Sequence, residues 1–271
     1  MNNNDQLRIW HVGNWCIQIG QKYIESPFEA PSKDVEVINY AQPFVDALRS
    51  IPGGEVVSQP SWELYHMSPE DFNKRLEWAT TIIFADVETK CLMLHPDFFQ
   101  RAKWGDESLV FPDRFELLRK WVENGGHFHM NGGWLSFSGE LGKGGWGRSR
   151  FHTALPVECR QGDDLIESTA GLRVRSTAHD SAIMKGLDLA SAPMLLGFNE
   201  TKLRDGGEAL VEIEDQDQWY PLLASRELGS GHVTCWTSGA SPHWGINFVK
   251  WSDYSRFWAQ LFSRGTSKND V

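Results

Sequence analysis

The sequence predicts an α/β fold, on three observations. The stretch Phe111–Gly139 reads as an amphipathic helix, a glycine stop at Gly125-Gly126, a short apolar strand at His127–Asn131 and a sharp turn at Gly132-Gly133. A helix feeding a strand that feeds a glycine-rich turn is one α/β crossover unit. The N-terminal half repeats this alternation of strand and helix. From about Phe151 onward the pattern changes to short strands separated by turn residues, the signature of added hairpins.

In chain order, Met1–Gln6 is polar and reads as a frayed start. Leu7–Val12 is a first strand, closed by a Gly13-Asn14-Trp15 turn. Gln18–Lys33 carries Pro27 and Pro31 and reads as an irregular excursion. Pro43–Ser50 places Phe44, Val45 and Leu48 on one helical face and ends before Pro52-Gly53-Gly54. Glu55–Ser58 is a second strand. Ser68, Pro69 and Asp71 have the spacing of a helix N-cap, first position and third position. The helix they start leads to a buried strand, Thr80–Ala85. Leu92–Lys103 is partly helical around His95-Pro96.

Beyond the central unit, Trp134–Gly139 is expected to begin a new helix, and the glycine-rich Glu140–Arg150 reads as a mobile loop able to cover the turn. Strands follow at Ala154–Cys159, Leu172–Ser176, Met194–Thr201, Ala209–Glu214, Pro221–Ala224 and His232–Thr237. Asp205-Gly206-Gly207 and Gly229-Ser230-Gly231 are read as hairpin turns. Lys250–Ser263 closes the chain with Trp251, Tyr254, Phe257, Trp258 and Leu261 on one face. No polar or proline-rich linker separates the halves. Residues 1–271 are therefore expected to form a single domain, with a β-rich elaboration from about 151.

Composition excludes several classes. The chain of 271 residues has a net charge of -10, and no basic run that would track a nucleic acid. No apolar stretch approaches the ~20 residues of a membrane helix, and the start MNNNDQLRIW lacks the basic and apolar regions of a secretory signal. Cys16, Cys91, Cys159 and Cys235 are scattered without a CxxC pair, which argues against a disulfide framework or zinc site and for a reducing cytoplasm. No cofactor or metal is expected. Apolar edge strands in the C-terminal half leave a homo-oligomer open.

In parallel sheets ligands sit beyond the carboxyl ends of the strands, so the turn at Gly132–Ser136 is the first candidate site. Asp86 and Glu88 follow a buried strand and are placed to divide acid and base work, or to hold a cation. Asn14 and Trp15, after the first strand, are expected to line the same crevice, with Trp134, Trp146 and Trp244 beside them. Ser136 and Ser138 are read as helix-capping or ligand-bonding hydroxyls, with Ser136 as an alternative nucleophile. The G-x-S-x-G pattern of hydrolases is not met. His127 and His129 share a strand face and would need His11 or His243 to bind a metal; packed, hydrogen-bonded imidazoles are the plainer reading.

The strings GGHFHMNGGWLSFSGELGKGGW, LPVEC, LLGFNE and GSGHVTCWTSGASPHWG, with FADVETKCLMLHPDFF before them, occur in one order. As a set they resemble the glutamine amidotransferase-like family, a branch of the class I glutamine amidotransferase-like superfamily near the trehalose-utilisation (ThuA-like) proteins. The resemblance implies a flavodoxin-like three-layer sandwich with a largely parallel central sheet. Class I glutaminases resemble one another in a G-x-C-x-G elbow and a later histidine, because a thiolate must attack the amide carbon while an imidazole takes its proton. Laid on this chain the elbow falls on Gly132–Ser136, Trp134 stands at the nucleophile position and His243 echoes the late histidine. Glutaminase activity is therefore expected to be absent. The tryptophans, the carboxylates and the kinship with sugar-related proteins together suggest a small polar ligand, a sugar or another polyol. Two functional classes follow: an enzyme on a small metabolite using Ser136, His243 and Asp86 or Glu88, or a non-catalytic binding or assembly protein.

Overall fold

A computed structural model describes residues 6–24, 30–105, 108–178 and 181–263, with the backbone alone for 21–24 and 30–33. The expectations for Met1–Asp5 and Pro27 lie outside the described residues.

The chain begins with β1 (Arg8–Gly13), β2 (Trp15–Ile24) and β3 (Ala30–Asn39), then α1 (Gln42–Arg49), β4 (Glu55–Gln59), α2 (Ser61–His66) and α3 (Pro69–Trp78). β5 (Thr81–Ala85), α4 (Lys90–Met93), α5 (Arg114–Glu123) and β6 (His127–Asn131) complete the N-terminal half. Ser68 does cap α3, its hydroxyl accepting the Asp71 N–H at 3.1 Å. Asp113 caps α5 through the N–H groups of Phe115 and Glu116. The later strands are β7 (Val157–Cys159), β8 (Leu165–Leu172), β9 (Val174–Ser176), β10 (Leu195–Asn199), β11 (Thr201–Leu203), β12 (Glu208–Asp215), β13 (Gln218–Leu228) and β14 (Gly231–Trp236). α6 (Tyr254–Phe262) closes the fold.

Eight strands form the main sheet, in the order β4-β1-β5-β6-β14-β13-β12-β9. The first five run parallel and the last three alternate in direction. The fold is thus a flavodoxin-like α/β sandwich with small antiparallel sheets added: β10 with β8, β11 with β7, and β2 with β3.

Strand alternation separates the two faces of the sheet. Trp10, Val12, Ile82, Phe84, Phe128, Met130, Val233 and Cys235 pack against α3 and α5 through Phe72, Phe115 and Leu118. Ile9, Ile83, Leu223 and Trp236 face α1 and α6, against Phe44, Phe257 and Trp258. The same face also carries His11, His127, His129 and Thr234, all buried.

Four expectations need correction. Where the excursion at 18–33 is described, residues 18–24 and 30–33 are instead regular, in the paired strands β2 and β3, in which Ile17 and Ile19 lie opposite Val37 and Val35. Period-two placement of β-branched residues outweighs Pro31. Trp134–Gly139 is not a helix, because Phe137 and Gly139 take φ of 50° and 71° and break the helical path. The loop at 140–150 is packed rather than mobile: Trp146 is fully buried and its indole N–H donates to Val87 O at 2.8 Å. Finally, Asp205-Gly206-Gly207 joins strands of different sheets, whereas Gln216 and Asp217, at φ 48° and 62°, turn the β12–β13 hairpin. β8 is largely absent from the sequence reading, since its residues IESTAG are mostly polar.

Candidate ligand cleft

The carboxyl ends of β1, β5, β6 and β14 open onto one cleft of about 450 Å³. Each strand delivers its residue through a backbone that leaves the strand abruptly. Asn14 after β1 and Asp86 after β5 adopt left-handed φ of 56° and 57°, a conformation that short polar side chains tolerate better than others. After β6 the chain passes Gly132, where a Cβ would stand 2.2 Å from Thr237 O, and Gly133, where it would meet Asp86 Oδ1 at 2.5 Å. Only glycine fits this approach of backbone to backbone.

Three side chains hold the turn. Asn199 acts as a false strand, its Oδ1 accepting the Gly133 N–H at 2.9 Å and its Nδ2 donating to Gly133 O at 3.0 Å. Asp164, almost fully buried, accepts the N–H groups of Ser138 and Gly139 at 2.8 and 2.9 Å, and Asn199 Nδ2 at 2.8 Å. Asp86 Oδ1 accepts the Leu135 N–H at 2.5 Å. Carboxylates thus take up the backbone donors that a helix start would have offered to a ligand. Burial raises both acids against these bonds, Asp86 to about 6 and Asp164 to about 6. Among the described residues no donor reaches Asp86 Oδ2.

One wall of the cleft is aromatic. The His243 ring lies against Trp134, with centroids 5.0 Å apart and planes within 16°, and on Tyr40 at 4.6 Å. Glu167 of β8 fixes this wall: its Oε1 accepts the indole N–H of Trp134 at 3.2 Å and of Trp244 at 2.7 Å. Trp134 remains 43% exposed, so the indole lines the cleft without filling it.

The floor is polar. His129 Nε2 lies 2.9 Å from Asn131 Oδ1, and Thr234 Oγ1 lies 2.7 Å from both His129 Nδ1 and His127 Nε2. With Asn131 Oδ1 as acceptor, protons run in one sense: His127 Nε2–H to Thr234, Thr234 O–H to His129 Nδ1, His129 Nε2–H to Asn131. The opposite sense would leave a buried His127 Nδ1–H without an acceptor, which costs more than an idle lone pair. Asn131 lines the cleft, and among the described residues its Nδ2 has no partner; neither has Trp15 Nε1.

The cleft gathers Asn14, Trp15, Asp86, Gly132, Gly133, Trp134, His243 and Trp244 from the sequence-predicted set. It does not gather the rest. The Ser136 hydroxyl is buried, donating to Asn131 O at 2.6 Å and accepting the Asp86 N–H at 3.1 Å, so it is committed to the turn and unfit as a nucleophile. Ser138 donates to Arg160 O beneath the surface. Glu88 points away, 4.0 Å from Lys90 Nζ. Trp146 belongs to the core. His11, His127 and His129 are packed imidazoles, and among the described residues no three His, Cys, Asp or Glu side chains are arranged to hold a metal ion. Tyr40, Asn131, Glu140 and Cys16 line the cleft without having been foreseen. Asn131, last residue of a buried strand ahead of the glycine turn, carried a legible signal; Tyr40 did not.

Cys16 lies on β2 rather than on the turn after β6, and among the described residues its sulfur makes no hydrogen bond to an imidazole. Burial raises the thiols of Cys91 and Cys159 to about 12 and lifts that of Cys235 well above its ordinary value, the reverse of what a nucleophile needs.

A parallel sheet with its cleft beyond the strand ends, walled by glycine turns, defines a ligand-site α/β protein of the flavodoxin-like kind. The family model described as "Putative glutamine amidotransferase" matches residues 32–266, and the chain belongs to that family. Among solved structures it is similar to the cytoplasmic protein STM3548 from Salmonella typhimurium, at 24% identity and TM-score 0.80, covering 94% of this chain and 98% of that one. The cytoplasmic protein STM1381 from Salmonella typhimurium LT2 is similar to the same extent, at 24% identity and TM-score 0.79 with the same coverage. A ThuA-like protein from Bacteroides uniformis shares the fold at 11% identity and TM-score 0.52, over 100% of this chain and 94% of that one. No curated protein matches the chain. No helix among the described residues is long and apolar enough to cross a membrane.

Proposed function

We propose that the cleft binds a small, uncharged, hydroxyl-rich metabolite, a saccharide or another polyol, in the cytoplasm, and that the chain does not hydrolyse glutamine by the cysteine route of class I glutaminases. The observation that carries the reading is the aromatic wall beside Asp86 in one cleft, with His243 stacked on Trp134 and Tyr40 tilted against His243. A flat aromatic face accepts the C–H face of a sugar ring, while a carboxylate and unpartnered N–H groups take its hydroxyls. Asp86 and Glu140 line the cleft and, among the described residues, neither lysine nor arginine does. A phosphate would meet like charge there without a compensating cation. Against glutaminase chemistry stand Trp134 at the nucleophile position and, among the described residues, the lack of an imidazole hydrogen-bonded to any of the four thiols.

A panel of neutral monosaccharides and polyols, with their phosphates alongside, tests the ligand by thermal shift and calorimetry. Binding of at least one neutral member, weaker or absent for its phosphate, is the expected result. A panel without a binder removes the reading. Ammonia release from glutamine at an enzyme-like rate, abolished by Cys16→Ala or Trp134→Ala, would refute the second part.

One observation favours a catalytic version of the same reading. Burial holds the Asp86 carboxyl near 6, where it exchanges a proton at neutral pH, and the neighbouring His243 ring nitrogens make no hydrogen bond within the described residues. An acid–base isomerisation or hydrolysis would then lose rate in Asp86→Asn while ligand affinity stays within about threefold.

A further inference from the structure

The sheet face under α1 and α6 carries a run of polar groups through an apolar layer. His127, His129 and Asn131 of β6 and Thr234 of β14 are each 2% exposed or less. Trp236, Trp258 and Phe262 stand around them. Valine or leucine at these positions would fill the layer without any hydrogen-bond requirement. Replacing both partners of a buried bond by apolar groups is close to neutral for stability. Packing alone therefore does not call for these groups.

The run ends at the ligand cleft. His127 Nε2–H donates to Thr234 Oγ1, the Thr234 O–H to His129 Nδ1, and His129 Nε2–H to Asn131 Oδ1 at 2.9 Å. Asn131 Oδ1 is thereby turned down the strand toward His129. The other arm of the amide, Nδ2, is left at the head of the strand, buried, and among the described residues it has no partner. Asn131 is the last residue of β6, with Ala85 of β5 as its Cα partner on one side. Ala85 brings only a methyl group and lines the cleft with Asn131, and Asp86 follows it there. A buried N–H without an acceptor is unfavourable, and at the floor of a cleft a ligand oxygen can meet it.

Given a cleft that binds a small hydroxyl-rich metabolite, we propose that Asn131 is a specificity-determining residue whose Nδ2 donates to one oxygen of the ligand, and that Thr234 and His129 are positioning residues that keep this donor, rather than the amide oxygen, facing the ligand. An asparagine amide offers a donor from one arm and an acceptor from the other, and by itself it turns over easily. The bonds beneath remove that choice. With the amide reversed, His129 Nε2 would have to accept, each proton would shift along the run, and His127 Nδ1–H would be buried without an acceptor. The floor thus presents a fixed donor. A hydroxyl satisfies it with its oxygen and keeps its own proton for Asp86 Oδ2. An ammonium group has no lone pair to offer Asn131.

Two measurements test this. Nitrogen NMR spectra of the imidazoles in the ligand-free native chain, at neutral pH, are expected to show His127 and His129 both protonated at Nε2 and bare at Nδ1. A proton on His129 Nδ1 overturns the proposal whatever the cleft binds. Calorimetry then uses the neutral monosaccharide of the panel that binds best, with its monodeoxy and deoxyfluoro analogues, because C–F accepts a hydrogen bond but cannot donate one. At one ring position the deoxy analogue is expected to bind native protein at least about tenfold more weakly than the parent, and the fluoro analogue about threefold or more tighter than the deoxy. Asn131→Asp turns the donor into an acceptor, and Thr234→Val frees the amide to turn over. Both are expected to erase the fluoro-over-deoxy gain, whereas Thr234→Ser restores the hydroxyl and keeps it. Thermal midpoints establish that each variant is folded; should one fail to fold, the other and the ligand-free spectra decide. A gain that is missing from native protein, that survives in either folded variant, or that is lost in Thr234→Ser overturns the proposal while leaving the cleft a saccharide site. A native chain that binds no member of the panel removes the saccharide reading itself, and this proposal with it.

Discussion

Asp86 ties one oxygen to the Leu135 N–H and leaves the other to the cleft, in a left-handed turn that lets the carboxyl reach both. Desolvation outweighs that hydrogen bond and holds the group near 6. The sign of the linkage follows. The folded chain keeps the proton that an unfolded aspartate releases near ~3.9, so ionisation weakens folding as pH rises from about 4 to about 6. Asp86→Asn retains an acceptor for Leu135 and removes the titration. The variant is expected to gain on the native chain by roughly 2 kcal/mol between pH 4 and pH 7, read as the change in the urea-midpoint difference. An unchanged difference would mean that Asp86 is solvated like a surface acid. Glu167 is the complementary case, an exposed carboxylate whose value lies in orientation. Glu167→Ala should cost under ~1 kcal/mol of stability but alter tryptophan emission, because the indoles of Trp134 and Trp244 lose their shared acceptor. Emission identical to the native chain would show that His243 and Tyr40 hold Trp134 unaided.

Among elements, the β6 turn shows what a sequence can and cannot disclose. Gly125-Gly126, His127–Asn131 and Gly132-Gly133 announced a helix end, a buried strand and a sharp turn, and each is present. Trp134–Gly139 misled as a helix start because the groups that take its N–H donors, Asp86 and Asp164, are far away in sequence. The same distance hid the fate of Ser136, whose hydroxyl looks available until the backbone of Asn131 and Asp86 closes around it. The β2–β3 strands differ for another reason: their W-x-I-x-I alternation is legible in the sequence, but Pro27 and Pro31 read against it. Tyr40 reaches the cleft only because β3 returns the chain to the end of β1, a matter of topology. The closeness of the turn makes a direct test. Gly132→Ala drives a Cβ against Thr237 O, backbone on backbone, where neither side yields. A loss of about 2–3 kcal/mol is expected, whereas Gly20→Ala, with open space around its Cβ, should change stability by less than ~0.5 kcal/mol. Equal urea midpoints for the two variants would mean that the turn relaxes freely.

For the whole molecule, the unusual property is a sheet face paved with imidazoles. His11, His127, His129 and His232 come from β1, β6 and β14 and sit between the sheet and α1 and α6, with His127 and His232 stacked at 3.9 Å. Burial lowers all of them, His11 to about 3, His129 and His232 to about 4, and His127 well below its usual value. A base whose folded pKa is depressed takes its proton first in the unfolded chain, so stability is lost as pH falls from ~6.5 toward ~4. Asp86 and Asp164 act oppositely over nearly the same window, since both hold their protons more tightly when folded. The histidine shifts are larger and more numerous, so the balance is net acid destabilisation of several kcal/mol between pH 7 and pH 4. The neutral imidazoles also keep the Thr234 relay oriented toward Asn131, so acid should disorder the cleft floor as it unfolds the sheet. His232→Phe isolates the effect, keeping an aromatic ring on His127 while deleting one titration. Its thermal midpoint is expected to fall less steeply than that of the native chain from pH 7 to pH 5, and a slope as steep as the native one would place the acid sensitivity elsewhere in the fold.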